Sequence, residues 1–86
     1  MSKRIHIGAH ARFEMKRRGI RRHEVIATVR NPDQVVPSVK GRSIYQSRIG
    51  VAGRMLLRVI VKEARLMYHV VTAYKTSKVA KCWRQS

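Results

Sequence analysis

The sequence predicts an α+β domain: two N-terminal helices, then a four-stranded antiparallel sheet, then a short C-terminal helix. Three observations carry this expectation. Apolar residues recur at helical spacing in two runs before Asn31-Pro32 and again only in the last few residues. After Pro32, β-branched and aromatic residues dominate, with glycines at the breaks. The connections between those later runs are short, which favours antiparallel neighbours. Helices in one block and strands in another place the helices on one sheet face and leave the other open to a ligand.

Residues 8–18 read as the first helix, closed by Gly19 as a C-terminal cap. Its apolar side is split, with Ala11 and Met15 on one side and Ala9 and Phe13 on another. A helix packed between a sheet and a second helix tolerates that pattern. Residues 22–30 read as the second helix, with Val25, Ile26 and Val29 inward. It stops at Asn31-Pro32 because proline disfavours helical backbone in the residue before it. Strands follow near 34–39, 42–49, 54–62 and 67–75. Lys40-Gly41 and Gly50 to Gly53 supply two turns, and Glu63 to Leu66 supplies a third without Gly or Pro. Residues 54–63 are apolar on both faces apart from Arg58, which marks the central strand. Thr76 or Ser77 is placed to cap a final short helix on which Val79, Cys82 and Trp83 fall at helical spacing.

The 86 residues are expected to form a single domain over 1–86. Hydrophobic residues make up 44% of the chain, too many for a disordered basic tail and enough for one modest core. The single Cys82 cannot form an internal disulfide, and with four scattered histidines it offers no zinc-site spacing. No metal and no cofactor is expected, and a reduced, cytoplasmic setting fits best. Met1 to His6 is basic without a following signal-peptide apolar run. The most apolar stretch, around Val59 to Val61, is bounded by Arg58 and Lys62, which excludes a transmembrane helix and a membrane partner.

Charge narrows the function. Twenty Lys and Arg stand against four Asp and Glu, for a net charge of +16. Nine of the twenty cations lie in the first 30 residues and the rest recur up to Arg84. They therefore stud a folded surface and do not form a tail. Each cation that neutralises a phosphate releases condensed counterions, so a nucleic acid is the default partner.

Two segments carry a resemblance. HARFEMKRRGI at 10–20 is followed by HEVIATVRNPDQV at 23–35. LLRVIVKE at 56–63 is followed by HVVTAYKTSKVAKCW at 69–83. With GRSIYQ at 41–46, the pattern resembles a small bacterial and archaeal domain-of-unknown-function family. That family in turn resembles the BrnT toxins and, more distantly, the RelE and ParE toxin fold. The resemblance covers nearly the whole chain. It implies a RelE/BrnT-like fold and a toxin-like RNA-binding protein. It opens the reading of a metal-independent ribonuclease in a toxin–antitoxin system, with an acidic antitoxin as partner. ParE-like members of the fold are associated with DNA gyrase inhibition, so the fold does not fix the activity.

Metal-free RNA cleavage needs a general base for the 2′-hydroxyl, cations for the charged phosphorus and an acid for the leaving 5′-oxygen. His10 opens the first helix within the resembling motif and reads either as that proton carrier or as a helix-start residue bonded to backbone. Glu14, one turn on, either orients it or pairs with Arg17 or Arg18. Arg58 interrupts an apolar strand and shares a face with Leu56 and Ile60. It is either a phosphate clamp or an arginine whose stem covers the sheet while its head reaches water. Tyr74 and Lys75 end the last strand and complete the catalytic set of His10, Arg58, Tyr74 and Lys75.

The nucleic-acid-binding set is Lys16, Arg17 and Arg18, Arg42, Tyr45 as a base-stacking ring, and Thr76, Ser77 and Lys78 as a phosphate cradle. His69 shares a strand face with Val71 and Ala73 and reads as core or interface. Trp83 reads as a packing anchor. A non-catalytic nucleic-acid-binding module and a protein-interaction domain stand as rival functions, the first needing only the charge.

Overall fold

The computed structural model describes residues 3–84. Its sheet has five strands: β1 (Arg4–Ile7), β2 (Gln34–Pro37), β3 (Ser43–Ile49), β4 (Met55–Ala64) and β5 (Met67–Thr76), in the spatial order β1-β5-β4-β3-β2. The last four form the expected antiparallel meander. The first corrects the expected architecture. A strand precedes the helices, and β1 runs parallel to β5, with His6 opposite His69. The sheet is therefore mixed, with five strands where four antiparallel ones were expected. Only four residues long, β1 alternates Ile5 and Ile7 toward the core with Arg4 and His6 outward. Its partner lies some sixty residues away, so no local signal announces the pairing.

Helix α1 (Ala9–Arg17) lies against β5, and α2 (Arg22–Arg30) against β3 and β4. Gly19 closes α1 at φ +68°. The Ile20 N–H donates to Met15 O at 2.8 Å and the Gly19 N–H to Lys16 O at 3.3 Å, the paired bonds of a Schellman turn. The accompanying apolar contact is present too, since Met15 and Ile20 are both buried in one cluster. Arg21 precedes α2, and its backbone N–H donates to Glu24 Oε1 at 3.4 Å. The reciprocal half of a capping box is missing because an arginine side chain has no acceptor.

The core lies between the helices and one sheet face. Ala11, Met15, Val25 and Val29 meet Leu57, Val59, Val61 and Ala73. β4 is buried on both faces, as its sequence implied: Leu57 faces the helices, and Leu56 is fully buried on the opposite side. That outer side is covered in part by a short third helix, α3 (Val79–Cys82). Its N-cap is Lys78, whose backbone N–H donates to Thr76 Oγ1 at 3.1 Å. Thr76 thus fixes the turn into α3 from two residues upstream of the cap position, and Ser77 makes no such bond.

The expected turns at Lys40-Gly41 and Gly50 to Gly53 are both present. Lys40 at φ 58° and Gly41 at φ 72° form the centre of a mirror-image turn, closed by the Arg42 N–H on Val39 O at 3.1 Å. A bulge at Ile60/Val61 shifts the β4–β5 register. It separates His69 from the Ala73 face, so His69 is exposed and meets His6 edge-on, with ring centres 5.7 Å apart.

Candidate nucleic-acid interface

Four polar side chains stand in one row across four strands. Gln34 pairs in register with Gln46, Gln46 with Arg58, and Arg58 with Tyr74. Opposed positions share a face, so all four point away from α1 and α2. Arg58 Nε donates to Gln46 Oε1 at 2.9 Å. Arg58 Nη1 donates to the Tyr74 hydroxyl at 2.7 Å and reaches Cys82 Sγ at 3.5 Å. Gln46 Nε2 donates to Gln34 Oε1 at 2.8 Å and to the Cys82 carbonyl at 3.3 Å. Gln34 exchanges bonds with the backbone of Arg84, donating to its carbonyl at 2.6 Å and accepting from its N–H at 3.0 Å. The row therefore anchors the C-terminal segment, and α3 roofs one side of it.

Arg58 is half-buried, and its acceptors are all neutral. Among the described residues the ion pairs are Arg17–Glu14, Arg18–Glu14 and Lys75–Glu24, so no carboxylate offsets it. Nη2 has no protein partner among them, and no buried nitrogen is left unsatisfied, so that nitrogen reaches solvent. A guanidinium held by two side chains and a thiol, uncompensated and open on one edge, suits an external anion.

The four carboxylates are all used inside the fold. Glu14 accepts from Arg17 Nε at 2.9 Å and Nη2 at 2.6 Å. Glu24 meets Lys75 Nζ at 3.3 Å, Asp33 Oδ2 accepts the Arg48 N–H at 2.8 Å, and Glu63 accepts from the Tyr45 hydroxyl. Cations are left in excess around the row. Lys78 caps α3, Lys81 lies in its last turn, Arg84 follows it, and Arg48 and Arg54 lie beside it.

The sequence-derived residues divide between the two sheet faces. Arg58 and Tyr74 meet. His10 does not join them: it is exposed on the first turn of α1, across the sheet. Lys75 points to the helix side, where it pairs with Glu24. Of the α1 cations, Lys16 is exposed and Arg17 is tied to Glu14. Arg18 donates to Ala73 O at 2.9 Å, on the stretch of β5 beyond β1. Tyr45 lies on the helix-facing side with 6% of its surface exposed, so its ring offers no face for stacking. Arg42 ends the β2–β3 turn. Ser77 and Lys78 are exposed at the entry to α3 beside Arg54.

Gln34, Gln46 and Arg48 were missed from sequence. No local signal singled them out: β3, SIYQSRI, is polar at four of seven positions, and Gln46 meets Arg58 only through the strand register. No group of three or more His, Cys, Asp or Glu side chains forms a metal-binding cluster among the described residues. No helix among them is long and apolar enough to cross a membrane.

Fold and site together define a small, strongly basic α+β domain with an oriented arginine on its outer sheet face. The chain belongs to the family described as Domain of unknown function (DUF4258), whose model matches residues 7–80. Comparison with curated proteins and with solved structures returns no match.

Proposed function

We propose that this domain is a toxin-like RNA-binding protein whose RNA surface is the outer sheet face, with Arg58 as the phosphate clamp. One observation carries the reading: a guanidinium held in place by Gln46 and Tyr74, with no carboxylate against it and an open Nη2. Burying a charge part-way is costly unless something compensates it. A phosphate oxygen at Nη2 supplies that compensation. The cations of the α3 region extend the attraction along a strand of RNA.

The test is binding of a labelled single-stranded RNA followed by anisotropy across a salt series. Affinity should fall steeply as salt rises. Arg58→Ala should weaken binding about tenfold or more, in line with loss of a charge-assisted contact. A flat salt dependence, or an Arg58→Ala protein that binds as wild type does, defeats the reading.

The Arg58–Tyr74 pair favours a second reading, RNA cleavage. In it the 2′-hydroxyl loses its proton to water, the 2′-oxygen bonds to phosphorus and the 5′-oxygen leaves. The guanidinium offsets the phosphorane charge, and the Tyr74 hydroxyl gives its proton to the leaving oxygen. His10, across the sheet, takes no part in this version. Incubation with RNA in the presence of a chelator should give fragments ending in 2′,3′-cyclic phosphate, and Tyr74→Phe should suppress them. RNA left intact by excess protein leaves the binding reading and removes the cleavage one.

A further inference from the structure

Arg48 is held in place at three points. Its backbone N–H donates to Asp33 Oδ2 at 2.8 Å. Its aliphatic stem lies along Gly53, where a β-carbon would come within 3.4 Å of Arg48 Cβ and Cδ. Its guanidinium carbon sits over the Trp83 ring, 4.4 Å from the centroid. The turn that supports it has left-handed backbone at Gly50, Ala52 and Gly53, and for Ala52 that conformation is costly. Between this turn and α3 lies an open cleft of about 500 Å³, lined by Arg48, Arg54, Ser77 and Trp83 among others and by no carboxylate.

Arg48 and Arg58 are also related by register. Arg48 stands opposite Leu56, one row from the Gln46–Arg58 pair. Diagonal neighbours of this kind lie roughly 7–8 Å apart at the backbone, a span that a single nucleotide bridges. One side of the Arg48 guanidinium is occupied by the indole. The residue is exposed, so its far side is open. Flat cationic faces of this kind stack on nucleobases whatever the base, because every base has a π-face.

We propose that the cleft is a nucleotide subsite: Arg48, backed by Trp83, stacks on a base, and Arg54 with Ser77 holds the adjoining phosphate. The inference rests on the reading that the outer face takes RNA. It extends that reading from attraction for a backbone to contact with a base, and so to single strands whose bases are unstacked.

Trp83 is the only tryptophan in the chain, so its emission reports on the cleft. The full chain is titrated with a labelled pentaribonucleotide and with an abasic strand of the same length and charge. Anisotropy reads total binding and Trp83 emission reads the cleft. Both strands should bind, the base-bearing one about tenfold more tightly, and only that strand should quench Trp83. Arg48→Lys keeps the charge and loses the plane, so it should bring the two strands to equal affinity. Arg54→Ala leaves the Arg48–Trp83 contact alone; it should weaken both strands equally.

Saturated anisotropy without a change in emission, or equal affinities in the wild type, overturns the subsite while RNA binding stands. Failure of both strands to bind overturns the subsite together with the RNA reading beneath it.

Discussion

The side-chain carbonyl of Gln46, a residue with no exposed surface, accepts the Nε–H of Arg58 at 2.9 Å and fixes the plane of that guanidinium. The Gln46 amide is spent on Gln34 and on the Cys82 carbonyl, so one buried glutamine links the sheet, the arginine and α3. Such a residue specifies the site and also holds the fold together. Gln46→Met keeps the volume and removes every side-chain hydrogen bond. Leaving the partners unsatisfied should cost about 2–4 kcal/mol. Urea denaturation measures the loss, and the surviving folded fraction should bind RNA more weakly because Arg58 is no longer held. A variant as stable as wild type would show that the network contributes little.

Leu56 and Leu57 are adjacent, both buried, and face opposite layers. Either one changed to alanine should cost about 2–5 kcal/mol through lost burial and the cavity left behind. The structural consequences should differ. Leu57→Ala weakens the helix–sheet core and lowers protection throughout in hydrogen exchange. Leu56→Ala loosens the region under α3, so the C-terminal segment should be cut first by protease. Identical exchange patterns in the two variants would contradict the two-layer division.

Gly41 and Gly53 both adopt positive φ, but only Gly53 touches another side chain closely. Alanine at either site should cost about 1–2 kcal/mol from left-handed backbone alone. At Gly53 the added carbon also presses on Arg48 and should shift the emission of Trp83. Gly41→Ala should leave that emission unchanged.

Glu14 supplies a pH dependence. The Arg17 hydrogen bonds to its carboxylate do most to hold its pKa below the ordinary value of 4.5. Desolvation opposes them, and the charges of Arg17, Arg18 and His10 add to the lowering. A carboxyl with a lowered folded-state pKa stabilises the fold above its unfolded value and loses that contribution as pH falls through the folded value. Stability should therefore hold from neutral pH down to about the ordinary carboxylate range and drop below it. Glu14→Gln should flatten that acid limb in a series of thermal melts. An unchanged limb would assign the effect to other carboxylates.

Lys75 gives a contrast with Arg58. Its pair with Glu24 is open to water on part of its surface, with 31% and 27% of the two side chains exposed, so Lys75→Ala should change stability by no more than about 1 kcal/mol. Because Lys75 faces the helix layer, the substitution should lower RNA affinity only slightly, as loss of one general charge. A loss as large as that of Arg58→Ala would move the site to the other face.

Much of the element order was legible. Asn31-Pro32 divides helices from meander, Gly19 ends α1, and the apolar run around Arg58 marks β4, because these signals act within a few residues. Strand β1 was not legible, since four residues ending in histidine and isoleucine acquire strand character only from a distant partner. Tyr45 and His10 show the same limit at the site. Their types suited RNA chemistry, but the strand face and the layer assigned to each depend on packing.

The sequence alone determined a basic α+β chain, the place of its helices and meander, and the arginine set in its most apolar strand. Those properties follow from composition and short-range periodicity. Tertiary structure decided that Gln34, Gln46, Arg58 and Tyr74 form one row, that α3 roofs it, and that His10 lies on the far side. Register and layer are set by long-range pairing and burial, which bring together residues that no spacing along the chain connects.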